Sequence, residues 1–141
     1  MKMTKNFKIL TSYIQNASSR ISGTESFIYL KENIPKFSLG IDINSIPLKN
    51  NMAEVNIKFT FNDKNSKDEK AFFEMTHTTV IRVEESAVNK DELRKIFLCD
   101  VPTEVYPEIE KKFFEITKSI GYPQIKLGEK INFKEQFEKN Q

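Results

Sequence analysis

Cysteine and histidine each occur once in this 141-residue chain, as Cys99 and His77, and tryptophan does not occur at all. A single cysteine forms no intramolecular disulfide and no cysteine-based zinc site, and a single histidine excludes a two-histidine metal centre. The four glycines (Gly23, Gly40, Gly121 and Gly128) make neither a G-x-G-x-x-G fingerprint nor a P-loop, so no nucleotide cradle is visible. Neither a metal nor a cofactor is implied. Long apolar runs are also missing. Lys2, Lys5 and Lys8 interrupt the N-terminus, which predicts no signal peptide and no membrane span, and hence a soluble cytoplasmic protein without membrane insertion. A surplus of one charge is lacking too. With 22 Lys and Arg against 20 Asp and Glu the net charge is +2, too little to argue for nucleic acid or an anionic membrane as partner.

What the chain does have is the composition of a globular protein: 38% apolar, 30% charged, with twelve Phe and four Tyr. Its length predicts one domain, residues 1–141. Alternation dominates the first half. Phe7, Ile9, Thr11 and Tyr13 fall on one side of an extended segment, with Lys8 and Ser12 on the other. Phe37, Leu39, Ile41 and Ile43 alternate with polar neighbours, and so do Val55, Ile57, Phe59 and Phe61. This period of two belongs to strands with one face in the core. A fourth strand, 71–83, carries Phe73, Met75, Ile81 and Val83, although Phe72 and Val80 blur its phase. The polar run 62–68 reads as a solvated hairpin loop, and one-sided strands with short connections imply an antiparallel sheet.

The second half changes period. Asn89 caps a short helix through Phe97, which Val101-Pro102 is expected to stop. A longer helix starts near Thr103 or Pro107. Along it Val105, Ile109, Phe113, Ile116 and Ile120 recur at helical spacing, before Gly121 as a C-cap and Pro123. Residues 121–132 read as a loop, and a last short helix begins near Asn132 with Phe133 and Phe137 on one side. Together these predict an α+β domain: a four-stranded antiparallel sheet with a long C-terminal helix and a short final helix packed on one face.

Candidate chemistry is thin. His77 has no nucleophile or orienting carboxylate near it in sequence, so a structural or surface histidine is expected. Cys99 follows Ile96-Phe97-Leu98 and reads as an inert buried thiol. Glu104, Glu108 and Glu115 interleave with Lys111, Lys112 and Lys118 as a solvated helix face. No enzyme is read from these residues. Aromatics are in surplus, because Phe27, Tyr29, Phe72, Phe114 and Tyr122 have no obvious place on a core stripe. They suit either an oligomer interface or an apolar groove for extended polypeptide.

Val101-Pro102 through Pro107, the amphipathic helix to Gly121, then Gly121-Tyr122-Pro123-Gln124-Ile125 and Ile131-Asn132-Phe133 resemble the SecB family of protein-export chaperones. The upstream strands agree more loosely, so the resemblance spans about residues 7–137. It implies an ATP-independent holdase that keeps unfolded preproteins translocation-competent, built as a homotetramer from two dimers. It also implies a client groove, here Phe27, Tyr29, Phe72, Tyr122, Ile125 and Leu127, and a sheet surface for docking the SecA motor. On that surface the family's carboxylates correspond here to Asn16 and Arg20, with Glu74 retained. Family members are usually acidic, whereas this chain carries +2 and has no acidic tail. Those departures raise an alternative within the family, a chaperone dedicated to one client such as the antitoxin of a toxin–antitoxin system.

Overall fold

A computed structural model describes residues 6–63, 71–84, 89–125 and 132–139. Four strands, β1 (Phe7–Ile21), β2 (Ser38–Pro47), β3 (Met52–Asn62) and β4 (Ala71–Val83), form one fully antiparallel sheet in the order β1-β4-β3-β2. Strands β2, β3 and β4 follow one another as a meander. β1 lies on the far side of β4, so the chain must cross the sheet to reach β2. It does so through a helix that the sequence pattern does not announce, α1 (Thr24–Glu32), and a short 3-10 turn, Ile34–Lys36. Only Ser26 and Leu30 of α1 are buried, and so few apolar positions leave no stripe to recognise. The β2–β3 turn, residues 48–51, places Asn50 and Asn51 at φ +61° each, the left-handed conformation that Asn tolerates.

Odd-numbered positions of β2, β3 and β4 share the inner face, with Ile41 opposite Phe59, Phe59 opposite Met75, and Phe61 opposite Phe73. This settles the phase of β4: Phe72 and Val80 lie on the other, open face. β1 departs from the simple alternation. Register shifts between Ile9 and Thr11 and between Ile14 and Asn16 each insert a residue. A one-residue insertion turns every later side chain over. Phe7 and Ile9 therefore face inward as expected, but Thr11 and Tyr13 turn to the open face and Ser12 and Ile14 turn in, the reverse of their expected sides.

The helices cover the inner face. α2 (Lys90–Lys95) is capped by Asn89, whose Oδ1 accepts from the Glu92 amide at 2.8 Å. It does not stop at Val101-Pro102. A π turn (Ile96–Asp100) links it to α3 (Val101–Ile120) in one 31-residue helix. A proline at position 102 cannot donate to the carbonyl four residues back and its ring crowds that oxygen. The wider turn, in which the Val101 amide bonds to the Ile96 carbonyl, accommodates it without breaking the helix. Along α3 the buried line runs Val105, Ile109, Phe113, Thr117. It leaves the expected stripe after Phe113, so that Ile116 is half-buried and Ile120 exposed. Phe113 sits edge-on to Phe59, Phe61 and Phe73 at 5.5–5.7 Å and is the centre of the core. The last helix, α4 (Phe133–Lys139), is pinned by Phe133 against Tyr106 at 5.6 Å. The side chain of Phe137 and most of the 62–68 loop lie outside the described residues.

Candidate functional site

The C-terminal end of α3 and the segment after it enclose an apolar groove of about 620 Å³, lined by Phe114, Thr117, Lys118, Tyr122, Pro123, Gln124 and Ile125. Its floor is rigid. Gly121 takes φ +120° as the helix C-cap, and the Tyr122 amide returns to the Thr117 carbonyl. That turn drives the Tyr122 ring under the helix, between Phe61 and Phe73. Burial pushes the Tyr122 phenol above its ordinary pKa, only partly offset by Ser19 of β1. Tyr122 and Ile125 are therefore core residues that present an edge to the groove, not free loop side chains. The expectation that they stand apart from the core is corrected here: the C-cap points the chain back to the sheet, where large apolar groups are buried. Phe114, on the rim, was visible in the sequence only as an aromatic off the main stripe. Its ring lies 5.6 Å from Phe113 and stays half-buried.

The other aromatics singled out do not join one surface. The ring of Phe27 approaches Gly121, where an added Cβ would stand 3.5 Å from its Cε1, so Phe27 packs beside the helix C-cap. Tyr29 packs on Phe37 at 6.4 Å and donates its hydroxyl to Asp63, fastening α1 to the end of β3. That bond raises the Tyr29 pKa. Phe72 projects from the opposite face of the sheet. Leu127 lies outside the described residues.

On the open face, Asn16 stands opposite Thr76, Ser18 opposite Glu74, and Arg20 opposite Phe72. The three residues named for docking thus form one contiguous patch on β1 and β4. Glu74 is not a free carboxylate: Lys58 of β3 meets it at 3.0 Å. Beside this patch a polar ladder crosses the strands. The Thr78 hydroxyl donates to Asn56 at 2.6 Å, and the Asn56 amide donates to Asn44 and Glu54.

The apolar groove thus lies at a helix end, while the outer face of the antiparallel sheet carries the Thr78–Asn56–Asn44 ladder. The model of the SecB family, preprotein translocase subunit SecB, matches residues 1–141. A protein of Pelagibacter ubique provisionally designated protein-export protein SecB is 41% identical over 133 residues, covering 94% of this chain and 95% of its own. The protein-export protein SecB of Albidiferax ferrireducens is 25% identical over 136 residues, 96% of this chain and 84% of its own. Among solved structures, the SecB-like chaperone of Mycobacterium tuberculosis, in complex with a ChAD peptide from an antitoxin, aligns with TM-score 0.67. That alignment covers 90% of this chain and 92% of the other at 11% identity, a likeness of fold. The chain belongs to the SecB family, a non-enzymatic family of protein-export chaperones. No helix among the described residues is long and apolar enough to cross a membrane.

Proposed function

We propose that this chain is a cytoplasmic, ATP-independent holdase. In this reading residues 1–141 form one SecB-like domain, assemble as a dimer of dimers, and hold unfolded preproteins for export in the groove beside Phe114, Tyr122 and Ile125. The observation that carries it is the groove itself, which is open, mostly apolar, and rimmed by the flexible polar side chains of Lys118 and Gln124. A client side chain seated there gains about 25 cal/mol per Å² of apolar area buried, without needing a particular sequence. Phe27 and Leu127 are proposed to meet clients with this groove, and Tyr29 and Phe72, on other surfaces, only as separate contacts. Ile116 and Ile120 on α3 and the exposed Tyr13 on β1 leave apolar area that subunit contacts would cover, which supports the tetramer.

The groove is tested by Phe114→Ser, which removes a half-buried rim side chain. The variant should keep the fold and suppress client aggregation several-fold less well. Full suppression by the folded variant would place the client elsewhere. Engagement of the SecA motor is proposed to be weak, because Asn16 and Arg20 supply no negative charge and Lys58 neutralises Glu74. The same observation favours a second reading, a chaperone dedicated to one client such as an antitoxin, which needs no motor. Co-purification with SecA at low and moderate salt separates the two.

A further inference from the structure

His77, the chain's one histidine, is fully buried on the inner face of β4. It lies between Ile14 of β1 and Ile57 of β3, which stand opposite it in the two ladders. Its inward-facing neighbours carry no charge: Ser12 on β1, Val55 and Phe59 on β3, Met75 and Thr79 on β4. Among the described residues, the charged groups facing it both come from α3. Lys112 Nζ lies 3.4 Å from Nε2, and Glu108 Oε2 lies 3.5 Å from the same nitrogen. These two also face each other at 3.7 Å, and the Ser12 hydroxyl points to Glu108 at 3.4 Å. Nδ1 has no partner.

One ring nitrogen thus faces a cation and an anion together, and it can satisfy only one at a time. A neutral ring with a bare Nε2 accepts from the Lys112 ammonium, which leaves Nδ1–H buried and unpaired. A ring protonated at both nitrogens donates from Nε2 to Glu108, and Lys112 then faces a like charge at close range. The lysine has an exit, since its side chain is 30% exposed.

We propose that His77, Glu108 and Lys112 form a proton-operated latch between α3 and the β1–β4 half of the sheet. At neutral pH Lys112 donates into the imidazole and ties the helix down. On proton uptake Nε2–H turns to Glu108, and the Lys112 ammonium is expelled to the surface beside β1. Burial, then Lys112, hold the imidazole below its ordinary pKa, with Glu108 opposing. The unfolded chain therefore takes up its proton first. Stability is full above the unfolded histidine value of about 6.5 and declines as pH falls from there towards the folded value.

The test is a pH titration of the single imidazole by NMR in the intact protein, beside Lys112→Met and Glu108→Gln. Both substitutions lie on partly exposed side chains of α3. The latch requires that Lys112→Met raise the proton affinity of His77 and Glu108→Gln lower it, each by about threefold or more. In the unmodified protein the neutral ring should be the Nδ1–H tautomer, and the Lys112 side-chain resonances should move with the same midpoint as His77. Two results overturn the proposal. One is a proton affinity within twofold of the parent in both variants, meaning burial alone sets it. The other, which needs no variant, is an Nε2–H neutral tautomer or a Lys112 signal that ignores the titration.

Discussion

The ring of Tyr122 packs 6.0 Å from that of Phe61, so the residue following the helix C-cap is built into the core of the sheet. Phe73 closes the other side at 6.5 Å. Removing the ring by Tyr122→Ser should cost about 3–5 kcal/mol, as for other large core truncations, and Ile125→Ser about 2–5 kcal/mol. Thermal unfolding would record both. A Tyr122→Ser protein that melts like the parent would mean that the ring can leave the core at no cost.

Charge on the open face gives a second prediction. Arg20→Glu with Asn16→Asp converts the β1 half of the patch to negative charge, and adding Lys58→Met removes the counter-ion of Glu74. If SecA docks on this face, binding should rise at low salt with the double substitution and rise again with the third. The gain should shrink at moderate salt, since exposed charges are screened within about 8 Å at physiological ionic strength. No gain at any salt places motor docking on another surface.

The long helix depends on its first turn. Asn89 accepts from the Glu92 amide, and its own amide donates to the Glu92 carboxylate at 3.2 Å. Asn89→Ala should cost about 1 kcal/mol, and Asn89→Asp or Asn89→Ser should recover most of it. Denaturant unfolding with an unchanged m-value is the check.

Alkaline pH offers a fourth. Burial, then Glu110, pushes the Tyr106 phenol up to about 12. The unfolded chain loses this proton near pH 10, earlier than the folded one, so stability is full below about 10 and falls as pH rises towards 12. Tyr106→Phe keeps the ring against Phe59 and Phe133 and should flatten that decline. An equally steep alkaline loss in the variant would assign it to other groups.

The sequence by itself determined the sheet's inner face on β2 and β3, the cap at Asn89, the C-cap at Gly121 and the order of the four strands, because each is a local matter. A period of two reports which side of a strand is buried, and caps are formed within a few residues. Its C-terminal pattern of Pro, Gly and aromatic residues also carried the family. Tertiary structure decided the rest. The two bulges in β1 come from its pairing with β4, so Ser12 and Tyr13 exchange sides in a way no alternation reveals. Helix packing over the sheet holds α2 and α3 together through a π turn, where local propensity argued for a break at Pro102. The same packing folds Tyr122 and Ile125 into the core and leaves Phe114 on the rim. It also brings His77 to Glu108 and Lys112, residues more than 30 positions away along the chain, where proximity in space is the only cause of their chemistry.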